Sequence, residues 1–177
     1  MTFSLDISDE DISSEHDFSC SEFVIRPTVR CIVLKNKNKI GLVTNPIHNL
    51  FTLPGGGIEK DESTQEAVVR EMREELSSEI EEIELIGDAL EQRARNCKHY
   101  KTKVFKASFL KENLIDKRTK NEKDLKMMPV WKNLEEVEGI FNQQMEKLNQ
   151  GKINYYNTSF NIYRDTIFLK EYLNNNN

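Results

Sequence analysis

The sequence predicts an α/β fold, a sandwich in which helices cover a mixed sheet. Three observations lead there. Residues 23–34, 40–44 and 101–110 are rich in β-branched and apolar side chains, the composition of strands that face a core. Residues 64–76 contain no glycine or proline and are mostly good helix formers, which favours a helix. The order along the chain is strands, glycine-rich loop, helix, strands, loop, helix, a succession that stacks helices on a sheet.

The elements follow in order. Residues 1–21 read as an acidic arm, mobile or partly docked, with Phe3, Leu5, Ile7 and Ile12 available to pack on the domain. Residues 22–173 read as a single domain. A strand is expected over 23–34, with Pro27 near its start or at an edge. The polar turn 35–39 leads into a return strand over 40–44, and a loop with Pro46 follows. A short strand over 51–53 feeds Leu53-Pro54-Gly55-Gly56-Gly57, a run that forbids regular structure. Ser63 with Glu66 three residues later signals a helix start. Residues 80–86 alternate partly and Gly87 punctuates them. Residues 90–95 and 101–110 read as two strands joined through 96–99, and this hairpin is strongly basic. Residues 111–128 form a long charged loop, the kind that tends to be functional. Residues 129–131 are a late short strand whose Trp131 belongs in the core. Residues 134–148 are an amphipathic helix, with Leu134, Val137, Phe141, Met145 and Leu148 on one stripe. A final helix is expected over 162–173, then a frayed tail over 174–177.

Composition bounds the function. The 177 residues suffice for one domain with a proper core. The formal net charge is −5, and seven acids without a balancing Lys or Arg lie in the first 22 residues. The body is therefore slightly basic, which suits anionic ligands. Cys20, Cys31 and Cys97 are widely spaced, with no CxxC and no zinc spacing. They are expected as free thiols in a reducing cytoplasm. No apolar run is long enough to span a membrane and no signal peptide is visible, so no membrane partner is expected.

The chemistry is concentrated in residues 53–76. Advancing about 100° per residue, Glu71, Glu74 and Glu75 share one helical face. Val68, Val69, Met72 and Leu76 share another, which faces the core. Three carboxylates on one face repel each other. A hard divalent cation removes that conflict, and Mg²⁺ takes a few carboxylates while keeping water or phosphate oxygens as its other ligands.

This stretch resembles the Nudix box of MutT-like pyrophosphohydrolases, G-x5-E-x7-R-E-U-x-E-E-x-G-U, where U is aliphatic. Gly56, Glu62, Arg70, Glu71, Met72, Glu74 and Glu75 match at the required spacing. Ser77 and Ser78 depart, standing where the family has glycine and an aliphatic residue. The resemblance covers about residues 23–148. It implies the Nudix fold, an α/β/α sandwich with a mixed sheet and a loop–helix–loop box.

The resemblance also implies roles. Glu74 and Glu75 would be the main metal ligands, with Glu71 either a ligand or the general base and the Gly55 carbonyl a further ligand. Glu62 and Arg70 would form a structural ion pair beside Gly56. Many members supply one more glutamate from the loop after the box; Glu122 is the candidate here, with Glu112 next. Strands after the box line the family's substrate groove, which makes Arg93, Arg95 and Lys103 candidates for substrate binding. The implied activity is Mg²⁺-dependent hydrolysis, with Mn²⁺ as a substitute, of a nucleoside diphosphate linked to a group X, foremost a (d)NTP or modified nucleotide. The alternative is a non-catalytic Nudix-fold module that senses a nucleotide. The expected partner is a small nucleotide, with nucleic acid not expected save for capped RNA. Family members are often dimers, and the N-terminal strand would be the pairing element.

Overall fold

The computed structural model describes residues 2–12, 18–36, 38–47, 49–113 and 127–175. Seven strands form one sheet: β1 (Phe3–Ile7), β2 (Val24–Lys35), β3 (Lys39–Asn45), β4 (Leu50–Thr52), β5 (Ser78–Arg93), β6 (Lys98–Glu112) and β7 (Met128–Asn133). Their order is β1-β5-β6-β2-β3-β4, with β7 also on β3. The β1–β5 and β2–β6 pairs are parallel and the others antiparallel. The sheet is mixed, as the sequence predicts. Among the described residues, three α-helices accompany it: α1 (Thr64–Glu75), α2 (Leu134–Asn149) and α3 (Tyr156–Asn174). Among the described residues, no helix is long and apolar enough to cross a membrane.

Side-chain alternation along β2 builds two cores. Val29, Cys31 and Val33 point to one face, where they meet Ala67, Val68, Met72 and Leu76 of the box helix. Ile32 points to the other, where it joins Leu42, Val104, Val137, Phe141, Phe168 and Leu169 under α2 and α3. Each fully buried Val, Leu, Ile, Phe or Met among them contributes about 1.5–3 kcal/mol.

Helix α1 begins at the predicted capping box: Ser63 Oγ accepts from Glu66 N–H at 3.2 Å, and the Glu66 carboxylate accepts from Ser63 N–H at 2.9 Å. Its exit uses Ser77 where the family has glycine. Ser77 adopts the left-handed conformation, φ +49°, which is unfavourable for a residue with a Cβ. Its carbonyl accepts from Asn113 N–H at 2.7 Å, which ties the turn to the end of β6.

The structure extends the predicted elements in three places. Residues 78–93 form one strand, β5, with register shifts against β6 in place of a break at Gly87. A Cβ on Gly87 would stand 2.5 Å from the Phe3 ring, so this glycine makes room for β1 beside it. The acidic arm thus contributes a strand to the sheet edge. Helix α3 starts six residues before the predicted helix, at Tyr156.

The expectation of three free thiols fails for two of them. Cys20 and Cys97 form a disulfide, and Cys31 is free and buried. A sequence separation of 77 hides their proximity. Parallel pairing of β2 with β6 brings them together, beginning where Val24 N–H donates to Cys97 O at 2.9 Å.

Candidate active site

The glycine loop lies along β2. Val29 N–H donates to Gly56 O at 2.9 Å, and Cys31 N–H donates to Pro54 O at 3.0 Å. The loop is pressed so close that a Cβ on Gly55 would stand 2.3 Å from Val29 O, and Gly55 has φ +137°. Both facts require glycine at 55. A Cβ on Gly56 would stand 2.3 Å from Glu71 Oε1. The second glycine therefore lets the loop backbone rest on the carboxylate.

Arg70 gathers the box. Its Nε and Nη2 donate to the two oxygens of Glu62 at 2.8 and 3.0 Å. Its Nη1 donates to Glu71 at 2.8 Å and to Glu74 at 3.0 Å, and Nη2 also reaches Gly57 O at 2.8 Å. The Glu62 hydrogen bonds raise the pKa of Arg70 further above the ordinary arginine value, and Glu71 adds to this. The same bonds hold Glu62 below the usual carboxylate range. Glu75 turns the other way and accepts from Gly55 N–H at 2.6 Å.

Glu71 is 6% exposed. Burial raises its pKa above the usual carboxylate range, although Arg70 opposes the shift. Glu71, Glu74, Glu75, Gly55, Gly56, Glu62 and Arg70 therefore occupy one neighbourhood. Among the described residues, no three His, Cys, Asp or Glu side chains converge as a ready ligand set. The donor chemistry nonetheless fits a hard cation, with three glutamates around a glycine loop whose Gly55 and Gly56 come too close to their neighbours for a Cβ.

The candidate substrate residues are spread over different surroundings. Arg93 is 3% exposed and belongs to a buried ion network. It pairs with Glu91 and donates to Asn157 at 3.1 Å and Asn161 at 3.2 Å. Its guanidinium lies between the Tyr100 and Phe160 rings, 4.3 and 4.7 Å from their centres. Burial raises the Glu91 pKa, but Arg164 and Arg93 more than offset this and hold it below the ordinary value. Arg95 covers the Phe18 and Tyr156 rings and faces a cavity of about 740 Å³ beside α3, and no box residue lines that cavity. Lys103 pairs with Asp88 at 3.8 Å and stands in register with Val29, the residue that bonds Gly56. Glu112 pairs with Lys35 at 3.5 Å. Glu122 lies outside the described residues.

Sequence reasoning missed several groups around the loop. Gln144 of α2 clamps the free edge of β4, accepting from Phe51 N–H at 2.7 Å and donating to Phe51 O at 3.0 Å. Asp165 of α3 accepts from Leu53 N–H at 2.9 Å. Arg26 is exposed, lies over the Tyr100 ring at 5.7 Å, and brings Nη2 within 3.6 Å of the Cβ position of Gly57. No local pattern marks Gln144 or Asp165, because each acts on a backbone about a hundred residues away.

A sequence profile of the NUDIX domain matches residues 24–156. This chain belongs to the Nudix family. The Nudix fold is seen again in a NUDIX hydrolase from Nitrosomonas europaea. That structure is 21% identical, has a TM-score of 0.54, and the match covers 66% of this chain and 78% of that one. An RNA pyrophosphohydrolase of Marinomonas sp. (strain MWYL1) is 32% identical over 62 residues, 35% of this chain. The match spans only 38% of that relative's length.

Proposed function

We propose that this Nudix protein hydrolyses a phosphoric anhydride bond, with Mg²⁺ as cofactor and a nucleoside diphosphate linked to a group X as substrate. The observation that carries this reading is the box's glutamate set: Arg70 holds Glu71 and Glu74, and Gly55 N–H holds Glu75 beside the glycine loop. Glu71, Glu74, Glu75 and the Gly55 carbonyl would hold the cation, which when bound supplies charge neutralisation at the phosphoryl oxygens and an activated water.

The chain's own residues do the rest. Arg70 fixes two of the glutamates and relieves their mutual repulsion. Glu71, buried and with a raised pKa, would serve either as a ligand or as the base that takes the proton of the attacking water. Arg26 brings positive charge to the Gly57 end of the loop, where a polyphosphate would lie, whereas Lys103 projects from the other face of the sheet beside Asp88. Arg26 forms no ion pair among the described residues. Arg93 is buried and does not line this end of the loop.

A (d)NTP or modified nucleotide is the first substrate class to test. RNA with a terminal polyphosphate belongs beside it, because a relative bears the name RNA pyrophosphohydrolase. The experiment is phosphate release in Mg²⁺ across these classes, nucleotide sugars, dinucleoside polyphosphates and capped RNA, with Glu74→Gln as the blank. Loss of a charged ligand is expected to lower turnover by more than about 100-fold while the fold survives. An unchanged rate in that variant removes the assignment. Nucleotide binding without any turnover makes the protein a sensing module.

A further inference from the structure

We infer that Asp165, on a helix that lies almost wholly beyond the shared Nudix domain, is a positioning residue for the box: it fixes Leu53 and, through Pro54, the Gly55 that holds Glu75. The inference rests on the metal role proposed for Glu75. The family profile ends at residue 156, where α3 begins.

Both Asp165 oxygens are committed. Oδ2 accepts from Leu53 N–H at 2.9 Å, and Oδ1 accepts from Arg164 Nε at 2.8 Å. Arg164 is in turn bonded to Glu91 at 3.3 Å and to Asn161 at 3.2 Å. Asp165 is 1% exposed, Arg164 2% and Glu91 0%, so the whole anchor is inside the molecule. It cannot drift as a surface side chain would.

The link from Leu53 to Gly55 is stiff. Proline fixes its own φ and restricts the residue before it to extended conformations. Gly55 cannot absorb a shift by moving towards β2, because its Cβ position already stands 2.3 Å from Val29 O. A displacement at Leu53 is therefore passed to Gly55 N–H, which bonds Glu75 at 2.6 Å. The other bonds that hold the loop come from β2, Arg70 and Glu75, all inside the shared domain. Asp165 is the contribution that α3 adds.

The test measures Mn²⁺ affinity by electron paramagnetic resonance, without substrate, on the full chain. Glu75→Gln is the reference variant. Asp165→Ala is expected to weaken Mn²⁺ binding about tenfold, the scale of a lost supporting group at a metal site. Asp165→Asn keeps an oxygen for Leu53 N–H and is expected to stay within about threefold of the parent. Hydrogen exchange at the Gly55 amide should quicken in Asp165→Ala and not in Asp165→Asn. Should Asp165→Ala not fold, Asp165→Glu replaces it, and the longer side chain is expected to produce the same loss. Parental affinity in the folded Ala or Glu variant, with Glu75→Gln impaired, overturns the inference and leaves the metal site standing. Absence of Mn²⁺ binding by the parent, or parental binding by Glu75→Gln, overturns both.

Discussion

Replacing Gly56 with alanine should disable the site while leaving the fold. A Cβ there would stand 2.3, 2.7 and 2.8 Å from Oε1, Cδ and Oε2 of Glu71. Ordinary contact begins near 3.4 Å, so the carboxylate must move by roughly 1 Å. It can move, because it is the end of a flexible side chain, but it must leave the 2.8 Å bond to Arg70 to do so. The stability cost should fall at the low end of the overpacking range, about 1 kcal/mol. In a domain of this size that lowers Tm by about 2–4 °C. The functional cost is larger, since misplacing a catalytic group by 1 Å costs about 100-fold in rate. The assays are thermal unfolding, Mn²⁺ titration and phosphate release, run on parent and Gly56→Ala side by side. The reasoning is refuted if Gly56→Ala keeps parental turnover and metal affinity. It is also refuted if Gly56→Ala unfolds, because then the backbone, not the carboxylate, met the methyl group.

Three further outcomes are expected. Burial raises the Glu71 pKa, so the folded state binds a proton more tightly than the unfolded chain, whose value is about 4.3. Its ionisation therefore costs stability as pH rises through that window, and metal-free Glu71→Gln should melt above the parent at pH 7, with the difference vanishing at acid pH. Mg²⁺ should raise the Tm of the parent and not of that variant. Gln144→Leu removes both partners of Phe51 and leaves a part-buried N–H and C=O unmet, a loss of about 2–4 kcal/mol in chemical denaturation. Cys20→Ser opens the link to Cys97 and should lower stability by about 2–5 kcal/mol under oxidising conditions; thiol-reducing agent should bring the parent down to the same value and leave Cys20→Ser unchanged.

The sequence by itself determined what depends on near neighbours. The capping pair Ser63 and Glu66, the helical spacing of Glu71, Glu74 and Glu75, and the glycines before them are all legible, because the interactions they need span a few residues. The mixed sheet followed from the order of apolar runs. The tertiary structure alone decided what depends on distant chain segments. Arg93 and Lys103 lie on neighbouring strands and look equally basic in sequence. Pleat parity and helix α3 put the first into a buried network with Glu91 and leave the second half-exposed beside Asp88. Cys20 and Cys97, 77 residues apart, meet because two strands pair in parallel. Asp165 and Leu53 meet because α3 folds back across the sheet face that the shared domain leaves for it. A carboxylate 112 positions from its partner carries no local mark of its task; only packing fixes which backbone N–H it will find.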